Sequence, residues 1–372
     1  MTDLLAAAVA VTDIVRANAD EAERIRRLPA ATVAALTDAG LMRMCVPAAY
    51  GGPEADPPTL IEVIEAVSRG DGAAGWCTMI ASTTSSMALF LPPETAKELF
   101  GDPTIVAGGV FAPNGVGTTD GDAFRVTGRW QWGSGTQHCQ WIVGGTNCDD
   151  ETFRLCFFSA GDVSFDDTWH ASGLRGTGSL DFSVDDVRVP ASRTIQPGIT
   201  PPTIDAPLGA FPNFALLAAG VAAVSLGIGR RALDEVVALA EEKKPQFSSR
   251  TLARSGFTQT EVARAEAGLR AGRALLLDEV GRTWAVARRG GRVDLSARVG
   301  IRLACVHAAA AAVAATDAAY TLAGGSSVYE TNVLQRCLRD VHVVTQHLMV
   351  APKLHETLGR LLLGLDADVR FL

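Results

Sequence analysis

Four long stretches, residues 214–243, 259–288, 295–322 and 334–363, follow one another with apolar residues at spacings of three and four and short breaks between them. A helix of that length carries an apolar stripe that another long helix covers best, so the pattern predicts a C-terminal four-helix bundle over residues 214–372. The texture upstream is different. Residues 1–103 read as helices broken at Gly40, at Gly51-Gly52-Pro53 and at Pro92-Pro93, which predicts an N-terminal helical domain. Residues 104–195 carry short alternating runs, FRVTGRW, WIVGGT, FRLCFFS and LDFSVDDVRV, separated by Gly, Asn and Asp, as an antiparallel sandwich or barrel would. Residues 196–213 are rich in proline and read as a linker. The expected class is α+β: helices, a central β-domain, then the bundle. No repeat of about 20–50 residues argues for a solenoid.

Composition excludes several functions. With 33 Lys and Arg against 41 Asp and Glu the formal charge is −8, and a surface of that sign does not attract nucleic acid. The RRGGR run at 288–292 is short and interrupted by glycine; it reads as a solvated turn between helices, or as a contact to a cofactor phosphate. The start of the chain lacks a cationic, then apolar, export pattern. Read also as lacking a stretch of about 18 apolar residues free of charge, the chain is expected in the cytosol and outside the membrane. Seven scattered cysteines, an odd number, argue against a disulfide framework, and without a Cys-x-x-Cys pair His138, Cys139, Cys148 and Cys156 give no metal expectation.

The stretch QRCLRDVHVVTQHL (335–348) places two Arg, an Asp and two His in a segment otherwise built of Leu and Val. At about 100° per residue, a continuous helix puts Arg336, Asp340 and His347 within roughly 40° of one another and turns His342 away. An ion pair of Arg336 or Arg339 with Asp340 would explain part of this without any ligand.

Four segments give the chain a resemblance to a known family. GLMRMCVPAAYGG (40–52), GRWQWGSGTQHCQW (128–141), WHASGLRGTGSLDFSVDDVRVP (169–190) and AGGSSVYETNVLQRCLRD (323–340) resemble, in this order, the motifs of the acyl-CoA dehydrogenase fold superfamily. The resemblance covers nearly the whole chain. It implies a flavin, with Trp132 as a flat wall, Ser134 as the donor to N5, and Gly135, Thr177 and Ser179 along the ring. Gly324 and Gly325, like the family's Gly-Gly turn near the isoalloxazine, and Arg250, in the segment for the adenine half of FAD, would be contacts to the same cofactor. QFSSRTLARSGFTQ keeps Arg250 and Gln259 without the family's Arg-x-x-Phe-Gly spacing, so FAD and FMN both remain, with FAD favoured.

Dehydrogenases of this family need a carboxylate to take an α-proton from an acyl thioester. The usual position, eight residues after Asp340, is Leu348. The minority position, eleven residues before Gly227, is Leu216, followed by Leu217 where an Arg is usual. His347 stands beside the first vacancy in a Thr-Gln-His pattern. With LQRCLRD, this resembles the flavin monooxygenases of the same fold, which take reduced flavin from a separate reductase and use O2 through a C4a-peroxide flanked by a Ser and a His. The resemblance therefore implies Ser134 and His347 as catalytic residues acting on a small apolar or aromatic substrate; an ordinary histidine pKa near 6.5 suits proton exchange. Phenol-hydroxylating members carry another His on the helix after Gly-Trp, where GWCTMIASTTSSMALF (75–90) offers only hydroxyls, which puts a phenol in doubt. Two alternatives stay open: a dehydrogenase or oxidase with a displaced base, Glu330 being the nearest carboxylate, and a non-catalytic flavin-binding subunit. The Ala-rich, nearly uncharged run 306–319 predicts a homotetramer.

Overall fold

A computed structural model of the chain describes residues 3–372. In chain order the helices are α1 (Leu4–Ala17), α2 (Ala19–Ile25), α3 (Ala30–Asp38), α4 (Pro57–Gly70), α5 (Gly72–Ser85) and α6 (Pro93–Phe100). The strands β1 (Ala107–Asp120), β2 (Ala123–Gly133), β3 (Trp141–Cys148), β4 (Phe153–Ser159), β5 (Ser164–Asp166), β6 (Leu180–Pro190) and β7 (Thr194–Ile195) follow. Helices α7 (Asn213–Glu242), α8 (Gly256–Ala287), α9 (Leu295–Ala323), α10 (Val333–Val344) and α11 (Leu354–Leu362) complete the chain. It divides into two compact units. The first holds residues up to Asp56, Trp76–Ala171 and Arg175–Ala210; the second holds Pro57–Gly75, Ser172–Leu174 and Phe211–Leu372.

The first unit is built on a seven-stranded sheet in the order β5-β6-β2-β1-β3-β4-β7. Most pairings are antiparallel as expected, but β1 and β3 run parallel, so the sheet is mixed. The central strand β1 has the sequence AGGVFAPNGVGTTD, poor in β-formers. Its glycines have a packing reason. Trp130 is wholly buried, and a Cβ on Gly115 or Gly144 would lie 2.6 Å from its Cζ2, so both positions must lack one for the indole to fit. The indole N–H donates to the Gly145 carbonyl at 2.8 Å, and the ring stacks on Phe182. At the N-terminus the Asp3 carboxylate caps α1 by accepting from the Leu5 and Ala6 amides, both at 3.1 Å.

The second unit is helical. α7 packs along α9 and α4, and α8 along α9. Small residues let the backbones approach: a Cβ on Gly227 would meet the Glu65 carbonyl of α4 at 2.5 Å, and one on Gly229 would meet Ala312 of α9 at 3.1 Å. Contrary to the expectation from sequence, α7 and α9 are long and apolar enough to cross a bilayer by length and composition; 78% and 61% of their apolar windows are buried within the protein. α7, α8 and α9 match the expected segments to within a few residues. The fourth does not. The expected helix 334–363 is two helices, α10 and α11, separated by turns over residues 345–353. Pro352 lacks an amide to donate and disfavours helical backbone at Ala351, which keeps α11 from running back into the turns as one helix. The expected common face of Arg336, Asp340 and His347 is lost with it, because His347 lies beyond the end of α10.

Candidate functional site

In the first unit the chain leaves β2 through an irregular corner. The β2–β6 register shifts between Trp130 and Gly133, and Trp132 there takes a left-handed φ of 67° that leaves its indole 67% exposed. An exposed tryptophan held at a strained backbone position is uncommon, and such strain collects at functional sites. The Ser134 amide donates to the Trp132 carbonyl at 2.8 Å, closing a tight turn, and Gly135 follows with a φ of 70°.

This corner aims the Ser134 hydroxyl into a buried hydroxyl ladder. Ser134 Oγ lies 2.7 Å from Ser179 Oγ, which lies 2.7 Å from Thr177 Oγ1, and all three residues are buried. The Trp76 indole N–H of α5 donates to Ser134 Oγ at 2.9 Å. Indole N–H only donates, so Ser134 must accept there. If the ladder runs Thr177 to Ser179 to Ser134, each hydroxyl donating to the next, the Ser134 proton is directed outward to an acceptor. The Gly135 amide ties to the Thr177 carbonyl at 2.9 Å and locks the two segments together. Of the ring contacts implied from sequence, Trp132, Ser134, Gly135, Thr177 and Ser179 are thus brought to one place.

Two further residues belong to this cluster. Trp76 was legible only as the Trp of Gly-Trp-Cys. His138, in the turn after Ser134, lies so close that a Cβ on Gly135 would sit 3.2 Å from its Nε2. Burial pushes its pKa down to about 4. The hydroxyls of α5 and the turn following it serve the backbone: Ser82 donates to the Leu41 carbonyl at 2.7 Å, Thr83 to Met79 at 2.8 Å, Ser85 to Ser82 and Ser86 to Thr83 at 2.7 Å.

In the second unit the Arg-Asp pair of α10 holds a strap of chain. The Leu174 amide donates to Asp340 Oδ1 at 2.6 Å, and Arg339 Nη1 donates to the Ser172 carbonyl at 2.5 Å. Gly173 lets the strap lie flat, since a Cβ there would be 2.4 Å from the Arg339 carbonyl. Asp340 is buried. His347 lies in the turn after α10, half-buried, with its Nδ1 accepting from the Met349 amide at 3.3 Å. That acceptor role assigns the proton of the neutral ring to Nε2. Burial, and secondly the Arg302 charge, push the His347 pKa down to about 4. The ring is therefore neutral at cellular pH, not poised near 6.5 as its residue type alone suggests. His342, exposed on α10, pairs with Asp317 at 2.9 Å.

The remaining site residues lie at the other end of α10. Gly324 (φ 53°) and Gly325 form the exposed turn after α9. Lys243 binds the Ala323 carbonyl and, at 2.8 Å, Ser326 Oγ, while its own carbonyl accepts from the Leu252 amide of the loop carrying exposed Arg250. Arg250, Gly324 and Gly325 are thus tied to one end. The twelve residues of α10, about 18 Å at helical rise, separate that end from His347. Leu216 is buried and Leu348 half-exposed, and Glu330 lies in an exposed turn before α10. Within the first unit an exposed flat indole with a hydroxyl beside it suits a flavin ring, and within the second a basic, glycine-containing turn suits an anionic part of such a cofactor.

Comparisons with known proteins show the family and the fold. The family model described as the acyl-CoA dehydrogenase N-terminal domain matches residues 5–96, and the model for the C-terminal domain matches residues 219–352. The chain is 32% identical over 355 residues to an indole-3-acetate monooxygenase of Pseudomonas putida, covering 94% of this chain and 90% of that one. It is 26% identical to the flavin-dependent monooxygenase oxygenase subunit HsaA of Rhodococcus jostii, covering 92% and 94%. Among solved structures, XiaF from Streptomyces sp. in complex with FADH2 and glycerol superposes with a TM-score of 0.93 at 27% identity, covering 99% and 97%.

Proposed function

The chain belongs to the acyl-CoA dehydrogenase superfamily and, within it, to the flavin-dependent monooxygenases, and from this membership we propose that it oxygenates a small aromatic compound of about indole size with reduced flavin from a separate reductase. FAD is the favoured flavin, because the similar structure of XiaF is a complex with FADH2. The balance is R–H plus O2 plus reduced flavin to R–OH plus water plus oxidised flavin. The observation that carries the reading is the pair of leucines, Leu348 and Leu216, at the two positions where a dehydrogenase keeps its base. Hydrocarbon cannot take a proton, so α-proton abstraction from a thioester has no agent there.

Bound reduced flavin supplies the two electrons that activate O2. The protein supplies placement. Trp132 is the wall for the ring; Ser134, held by Trp76 and by the Ser179–Thr177 ladder, points one hydroxyl proton at it; Gly135 lets the backbone approach. Arg250, Gly324 and Gly325 hold the nucleotide end. His347 acts as a neutral imidazole, donating from Nε2 to the reacting oxygen or the acceptor and returning to the same state after turnover. The seven cysteines, all free and buried, suit a cytosolic protein. Exposed apolar side chains, Phe247 fully so, with Val328 and Tyr329, suit a homotetramer, which light scattering would report at micromolar concentration.

The test is turnover. The chain with a flavin reductase, NADH, FAD and indole-3-acetate should form a hydroxylated product, and none without the reductase. Anaerobic bleaching of bound flavin by an acyl-CoA would overturn the reading in favour of a dehydrogenase using Glu330, and failure of both would leave a binding subunit.

A further inference from the structure

Arg302, two turns into α9, is wholly buried at 0% exposure. A guanidinium carries five N–H donors and stays charged at any cellular pH. Its Nη1 meets the sulfur of Met349 at 2.8 Å, while Nε and Nη2 have no hydrogen-bond partner. No carboxylate among the described residues lies within ion-pair range of it, whereas the half-buried Arg231 and Arg273 of the same unit pair with Glu235 and Glu65. A buried charge without an opposite charge costs several kcal/mol, and a thioether is a weak acceptor. Such a residue is retained when something else supplies the anion.

Its surroundings indicate what. Met349 belongs to the non-helical turns 345–353 that carry His347, and His347 is near enough for the Arg302 charge to depress its protonation. The non-helical turns between α10 and α11 offer Met349, an unbranched and adaptable side chain, as the cover over the guanidinium. We propose that Arg302 is the counter-charge for a carboxylate on the substrate, which reaches it by displacing Met349 and so fixes the ring of an aryl-alkanoate beside His347. The inference rests on the monooxygenase reading and adds the substrate class: an aromatic acid, not a neutral ring. A planar carboxylate suits the planar fork of arginine, where Nε and Nη2 present parallel donors.

The test is equilibrium binding to the full chain with reduced FAD under anaerobiosis, using indole-3-acetate and indole-3-acetamide, which share ring and length and differ in charge. The wild type should bind the acid about tenfold or more tighter than the amide. Arg302→Met, which fills the space without charge, should weaken the acid by about tenfold or more and leave the amide within about threefold, with an unchanged or raised melting temperature. Should Arg302→Met fail to fold, Arg302→Lys serves: a single ammonium should keep part of the acid preference. Equal affinity for acid and amide in the wild type, or equal loss of both in either variant, would overturn the proposal. Binding needs no turnover, so a chain that holds the acid through Arg302 but forms no product refutes only the oxygenase reading. One that oxygenates acid and neutral rings alike refutes only this one.

Discussion

Acidification should destabilise this protein through two histidines, and the size of the effect follows from their surroundings. His138 and His347 each have a folded-state pKa of about 4, pushed down from 6.5 chiefly by burial. Between those values the unfolded chain binds a proton at each ring and the folded chain does not, so stability rises with pH across the window. The stabilisation is complete above about pH 6.5 and is lost as pH falls towards 4. At pH 5 linkage gives a ceiling of about 2 kcal/mol per ring, and the half-buried edges bring this nearer about 1 kcal/mol each. Asp368, held down to about 2 by Arg370, titrates well below the window. Urea unfolding of the chain at pH 7.5 and pH 5.0 should show a loss of roughly 2–4 kcal/mol in the wild type. His138→Gln and His347→Gln should each remove about half of that difference, and the double variant most of it. A double variant with the wild-type pH dependence, or a wild type more stable at pH 5.0, would refute the assignment of neutral, desolvated rings.

Ser134→Ala should weaken reduced-flavin binding or slow product formation by about 2–4 kcal/mol in free energy, the usual worth of one directed donor in a dry site, read from flavin titration and single-turnover rates. Unchanged values would remove Ser134 from the site. His347→Ala should lower product formation by roughly 10²–10⁴ with flavin affinity nearly intact, whereas His342→Ala, which loses only an exposed pair with Asp317, should do much less. Equal effects would make His347 structural. Gly227→Ala should destabilise by about 1–3 kcal/mol, because its Cβ would enter the Glu65 carbonyl and Ser68 at 2.5 Å and push α4 from α7; denaturant midpoints check this.

Three of the long helices were legible because their apolar pattern persists over 29 to 32 residues, and tertiary packing reinforces what the pattern states. The break between α10 and α11 was also written in the chain, at Pro352, but the apolar residues on both sides continue at helical spacing and mask it. β1 was the least legible strand, since its Gly, Pro and Asn make sense only when Trp130 is seen to lie over Gly115 and Gly144. At the site, the Ser134 corner could be read from glycines flanking a serine. Trp76 could not, because fifty-eight residues separate it from the hydroxyl it donates to. Nor could the neutrality of His347, which depends first on burial of its ring and second on the Arg302 charge from another helix. Residue type says that a histidine can exchange a proton; only its surroundings say at which pH.

The most direct measurement of the central claim is the fate of labelled oxygen. The chain is supplied with chemically reduced FAD, indole-3-acetate and 18O2, with no other enzyme present, and the product is analysed by mass spectrometry. The account predicts a hydroxylated product carrying one 18O atom, formed in an amount limited by the reduced flavin added. Product bearing oxygen from water, or complete oxidation of the flavin to hydrogen peroxide with the aromatic compound and other aryl-alkanoates untouched, would contradict it.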